Sequence, residues 1–196
     1  MSGERTRRRV LRDGLVGAVV AAGILGTRAI ASAGASGSLP RQDAKILNFL
    51  LELEQLQATF FDRAGRDTRF SDELRQFARV AARQDKAHAN ALRSMLGSSA
   101  QATMSQLNAD PADDGEFIRD ALALKEAAVA AYIGEGPNLR PERITDVAGI
   151  VSVEARHAAW IRSIRDVIPA PRAADRSQTP TAVVRALQGD GIATIR

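Results

Sequence analysis

The chain contains no cysteine, which excludes disulfides, thiolate metal sites and a cysteine nucleophile. Aromatic residues make up only 4% of its 196 residues. Ala, Leu, Arg and Glu dominate instead, and side chains of this kind lose little rotamer freedom in a helix, so the composition favours helix over strand. No glycine-rich phosphate loop or nucleophile elbow is found. The apolar run from Gly14 to Gly26 spans 13 residues, short of the ~20 that a membrane-crossing helix requires. Net charge is also missing from most of the chain. Residues 1–33 hold six arginines against Glu4 and Asp13, so the 27 basic and 23 acidic residues leave equal numbers of each sign from residue 34 onward. A body neutral in sum removes the main argument for a nucleic-acid partner.

What is present begins with that basic leader. A basic stretch, the apolar run and the small residues Ala31-Ser32-Ala33 follow one another as in an export signal. Thr6-Arg7-Arg8-Arg9-Val10-Leu11-Arg12 is similar to the twin-arginine signal, with Val10 in place of the usual phenylalanine. Residues 1–33 are therefore expected to be a twin-arginine-type signal peptide, with export to the periplasm, cell envelope or exterior. A general-secretion signal and an uncleaved anchor are the alternatives. Residues 34–41 read as a flexible Gly/Ser/Pro linker.

Four segments with helical periodicity follow. In the first, from about Asp43 to Ala64, Ile46, Leu47, Leu50, Leu53, Leu56, Phe60 and Phe61 recur at helical spacing. The second runs from Ser71, an expected N-cap, to Leu96 before Gly97. The third spans about Asp113–Ile133, and the fourth runs from Pro141 to before Pro169. Short connections join one to two and three to four, whereas the 16 residues "GSSAQATMSQLNADPA" separate two from three. A helix of ~24 residues is ~36 Å long, and 16 extended residues can cover it. The expected fold is all-α: a four-helix bundle over 42–168 made of two antiparallel hairpins with a long crossover. A Pro-rich linker and a short helix near 180–188 are expected over 169–196.

The two hairpins repeat in sequence. "DKAHANALRSML" lies over "EARHAAWIRSIR", pairing Asp85 with Glu154 and His88 with His157. "LLELEQLQATFF" lies over "ALALKEAAVAAY", pairing Glu54 with Lys125 and Phe61 with Tyr132. Residues three apart share a helix face, so Asp85/His88 and Glu154/His157 project together, on stripes that are otherwise apolar. Glu54 falls among Leu50, Leu53 and Phe61, with Gln57 one turn on. Buried carboxylates cost several kcal/mol each unless paired or bound to metal. A Glu on one helix and acid-x-x-His pairs on two others form the carboxylate–histidine pattern of di-iron and di-manganese bundles, a donor set suited to iron, manganese or zinc.

With these motifs in order, the chain resembles the exported ferritin-like domain proteins, a group that includes desiccation-related proteins. The resemblance covers about residues 42–168 and rests on "ILNFLLELEQLQATFF", "DKAHANALRSMLG", "LALKEAAVAAYIG" and "IVSVEARHAAWIR". It implies a site of Glu54, Asp85, His88, Glu154 and His157 holding two Fe or Mn ions. Such a site would serve iron handling or oxidative-stress defence. In the family pattern L-E-D-x-x-V-x-A-Y, Lys125 stands at the expected ligand position, and Glu126 is rotated about 100° away. Two outcomes follow. Either Glu126 or water completes a metal site, or the Lys125 ammonium replaces the metal charge in a metal-free bundle with a structural or stress-protective role. Metal ions are the expected partners, the membrane is met only through the leader, and an oligomer stays open. Tyr132 and Trp160 read as packing aromatics, and Arg93 and Arg162 as helix-end residues.

Overall fold

A computed structural model describes residues 39–102 and 105–195; the leader lies outside the described residues. Four long helices dominate: α1 (Arg41–Ala64), α2 (Asp72–Leu96), α3 (Asp114–Glu135) and α4 (Pro141–Ile164). The first three begin and end within about two residues of their expected limits, since local chemistry marks the ends, whereas α4 stops at Ile164, about four residues short of the end expected before Pro169. Asp113 caps α3 by accepting from the Glu116 amide at 2.9 Å, and Glu116 reaches back to the Ala112 amide. This reciprocal arrangement satisfies donors that a helix start leaves free. Ser71 occupies the N-cap position of α2 but makes no side-chain cap bond. Its amide instead donates to Asp114 of the second hairpin at 3.0 Å. Gly97 ends α2 with φ of 54°, a left-handed conformation that costs glycine little.

The hydrogen bonds fix the directions. Asn48 near the start of α1 bonds Ser99 and Gln101 just past the end of α2, so the first hairpin is antiparallel. Phe60 near the end of α1 stacks on Phe117 near the start of α3 at 5.5 Å. The connection 97–113 therefore runs the length of the bundle, as its length allows. It is not wholly irregular, because β1 (Gln106–Leu107) pairs antiparallel with β2 (Ala193–Thr194) near the C-terminus. This ribbon is an addition to the all-α expectation, and it satisfies backbone groups that would otherwise be stranded over the core.

The segment after Pro169 leads into α5 (Pro180–Gly189), capped by Thr179. Val183 and Leu187, one turn apart, join Ile192, Ala193 and Ile195 in the same core as the four-helix bundle. The Gln178 amide donates to the Ala130 carbonyl of α3 at 3.0 Å. A Cβ on Gly134 would lie 2.1 Å from the Gln178 carbonyl oxygen, so only glycine allows this close approach. None of the described helices is long and apolar enough to cross a membrane.

Candidate metal centre

The apolar stripes of α1 to α4 meet in a core of Leu, Ile, Phe and Ala, and charged groups break that core at its middle. Glu54, Asp85, Lys125 and Glu154, one from each helix, are fully buried, and His157 and Tyr132 are nearly so. The helical repeat puts them there: each lies on the stripe that its helix buries.

Lys125 is the hub. Its Nζ donates to Asp85 Oδ1 at 2.7 Å and to Glu154 Oε2 at 2.9 Å, and stands 4.9 Å from the Phe61 ring centroid. On the other side His88 Nδ1 lies 3.3 Å from both Glu54 Oε2 and Glu154 Oε1. Tyr132 donates its phenol to Glu54 Oε1 at 2.7 Å. His157 directs Nε2 at the Gln84 side-chain oxygen at 2.6 Å, and that contact places the ring proton on Nε2. Its Nδ1 then presents a lone pair 3.6 Å from Glu154 Oε1 and 3.9 Å from Asp85 Oδ1.

The electrostatics follow from burial opposed by pairing. Burial opposes the charge on Lys125, but Asp85, Glu154 and Glu54 outweigh it and raise the pKa. Burial also opposes the charge on His88, and contacts with Glu154 and Glu54 reverse this, pushing its pKa to about 10. Burial and the nearby Lys125 press His157 down to about 4. Burial works to raise all three acids. Lys125, with His88 beside it, overcomes it at Glu154, which is held well below the usual carboxylate range. Glu54 is raised by burial and Glu154, and Asp85 is raised well above the usual range, chiefly by burial. Three carboxyls thus face two cations, and Asp85 is the natural holder of a proton. Tyr132 is pushed up by burial and Glu54, so its phenol stays neutral.

Every expected residue but one joins this cluster. Glu126 is the exception: its side chain is 42% exposed and pairs with Arg162, which also donates to the Pro169 carbonyl. The reason is the one-residue rotation from Lys125, which turns Glu126 out of the bundle. Glu126 therefore supplies no ligand, and the reading in which it completes the site is corrected. Trp160 packs edge-on against Phe77, as a packing aromatic would. Two further members were not foreseen. Tyr132 lies two turns beyond Lys125 on the same face, a spacing that already placed its phenol here. Gln84 carries no such signal, since it precedes Asp85 on a half-exposed flank.

The family pattern implies two metal ions, and the residues can be tested against that. A second ion does not fit, because the Lys125 ammonium already bridges Asp85 and Glu154. One ion does fit. Glu54, Asp85, His88 and Glu154 each offer a ligand atom, all within 4.8 Å of one another. Ligands held tetrahedrally at about 2.1 Å lie about 3.4 Å apart, close to the two 3.3 Å separations at His88. Asp85 Oδ2 and His157 Nδ1 are buried without a hydrogen-bond partner among the described residues, and Glu154 Oε1 has only the His88 contact at 3.3 Å, an arrangement that a bound cation would relieve.

A four-helix bundle with a long crossover and an interior carboxylate–histidine cluster defines a carboxylate-bundle protein. The ferritin-like domain family matches residues 42–166, and the chain belongs to it. No curated protein matches the chain.

Proposed function

We propose that this is an exported ferritin-like protein, akin to the desiccation-related group, that holds a single divalent ion, iron or manganese, beside Lys125. Its role on this reading is metal handling or oxidative-stress defence outside the cytoplasm. The observation that carries the metal is the spacing of Glu54 Oε2, His88 Nδ1 and Glu154 Oε1 around one point, with Asp85 adjoining. Binding would release the protons of Asp85 and His88, and three carboxylates against the Lys125 ammonium would then leave two negative charges, the charge of one divalent ion. Export is supported by the resemblance of residues 6–12 to the twin-arginine signal.

When bound, a single iron would supply one-electron exchange with O2 or peroxide. The chain's residues set its surroundings. Tyr132 holds Glu54 in place, Gln84 fixes the His157 tautomer, and Lys125 holds Asp85 and Glu154 from the far side. Phe61 and the aliphatic core exclude water.

Elemental analysis after loading with Fe(II) or Mn(II) and desalting tests the reading. About one ion per chain is expected for the parent, two for Lys125→Glu, and none for Glu54→Ala/His88→Ala. Two ions on the parent would show that Lys125 does not hold a cation position. No ion on the parent would favour the second reading, a metal-free structural or protective bundle. That reading draws on the upward pKa of His88, which lets the imidazolium serve as the second cation.

A further inference from the structure

The neutral sum from residue 34 onward conceals a strong segregation of charge by face. An open groove of about 1550 Å³ runs between the outer sides of α1 and α2 and the connection after α2. Arg63 of α1 and Arg66 of the turn after it line one side, and Arg79, Arg83, Lys86 and Arg93 line it from α2, against the single acid Asp62. All six cations are exposed. Asp62 is paired with Arg66. Among the described residues Arg63, Arg79, Arg83, Lys86 and Arg93 have no ion pair. Arg79 donates to the Gly65 carbonyl at 3.1 Å, and its stem packs on that glycine. Arg93 is within 3.3 Å of the Asn90 side-chain oxygen.

The four α2 cations recur at i, i+4, i+7 and i+14, which is one helix face, and they extend about 21 Å along it at 1.5 Å per residue. Like charges at this spacing destabilise a helix by about 0.2–0.5 kcal/mol per pair. The fold supplies no counter-charge on this stripe. Arg79 is engaged at Gly65, but the core needs none of Arg83, Lys86 and Arg93, so packing does not account for the row. We propose that the groove binds a flexible, linear phosphate polyanion of the inorganic polyphosphate class.

Three features select that occupant. The groove exceeds the roughly 300–1,000 Å³ of small-molecule pockets, and a row of cations along a helix suits a chain. Its described lining carries no aromatic residue on which a base could stack, and no exposed large apolar side chain to enter a bilayer. Arginine forks engage phosphate oxygens in pairs. A rigid duplex is too broad for the valley between two neighbouring helices packed ~8–10 Å apart. The proposal does not depend on the metal centre.

The test is fluorescence anisotropy with labelled polyphosphate on the full chain, in a background of Arg7→Gln, Arg8→Gln and Arg9→Gln that quiets the basic leader. With about four phosphates engaged and a slope near −0.7 for each, affinity should fall about 50-fold between 50 and 200 mM salt. Arg83→Glu/Lys86→Glu should weaken binding more than tenfold. Arg172→Glu/Arg176→Glu, with the same change in net charge at exposed positions elsewhere, should leave it within twofold. The milder Arg83→Gln/Lys86→Gln pair covers a folding failure and should lower the salt slope by about 1.4. Absence of binding, or an equal loss in both reversal variants, overturns the proposal. Tighter binding to duplex DNA or phosphatidylglycerol vesicles at the same salt overturns the assigned ligand.

Discussion

Lys125→Glu restores an acid at the helix position where the family pattern has one, and the structure sets the size of its effect. In chelator the substitution removes the ammonium that joins Asp85 and Glu154 and adds a further carboxyl to a fully buried cluster. Breaking a buried ion pair by removing one partner costs about 3–5 kcal/mol, a large share of the ~5–15 kcal/mol that holds a typical domain together. With a urea m-value of ~2 kcal/mol/M, the unfolding midpoint should fall by about 1.5–2.5 M. Lys125→Met, which keeps most of the stem volume, should also fall, assigning the loss to charge rather than packing. Divalent metal should then rescue the glutamate variant, because binding at 100 times Kd returns about 2.7 kcal/mol per site. The assay is circular dichroism during urea unfolding, with chelator and with Mn(II). A shift below about 0.5 M in chelator would refute the placement of Lys125 at the hub. Equal rescue of the parent and Lys125→Glu would refute the claim that the ammonium occupies a second cation position.

Three further outcomes are expected. His88, raised from 6.5 to about 10, contributes stability that is fully present below pH 6.5 and lost as pH rises through 10. His157, lowered to about 4, contributes stability present above pH 6.5 and lost as pH falls through 4. Metal-free stability measured against pH should therefore decline on both sides of neutrality, with His88→Gln flattening the alkaline limb and His157→Gln the acid limb. Gly134→Ala, whose Cβ would meet the Gln178 backbone at 2.1 Å, should cost about 1–3 kcal/mol by overpacking. It should also speed protease cleavage between Pro169 and Thr179; an unchanged cleavage rate would show that this contact does not fasten the segment. Arg7→Lys/Arg8→Lys should hold a leader–reporter fusion in the cytoplasm, and unimpaired export would remove the twin-arginine assignment.

Much of the fold was legible because its signals are local. Apolar spacing, Asp113 and Gly97 mark helices and their ends within the sequence itself. The duplication made the site legible too, since Asp85 and His88 gain meaning only beside Glu154 and His157. What escaped was set in three dimensions. A two-residue strand such as Gln106–Leu107 leaves no periodic signal, and its partner lies 86 residues away. The rotation of Glu126 was visible, but not the Arg162 that receives it. The basic groove was hidden by adding charges along the chain, whereas the helix sorts them by face.

The repeat also explains why two equivalent histidines behave oppositely. His88 and His157 occupy matching positions in the two hairpins, each three residues after an acid, and both are buried. Burial lowers the pKa of both, so it cannot separate them. Their partners across the bundle do. His88 faces Glu54, and the position matching Glu54 in the second hairpin is Lys125. Glu154 and Glu54 together favour charge on His88, and the ammonium opposes charge on His157. One substitution in a two-fold cluster thus fills the His157 half with a permanent cation and leaves the His88 half balanced by a dissociable proton on the imidazole. A divalent ion could displace that proton at the His88 half only. On the proposed reading, the departure at residue 125 would therefore not abolish metal binding; it would reduce two seats to one and decide which one remains.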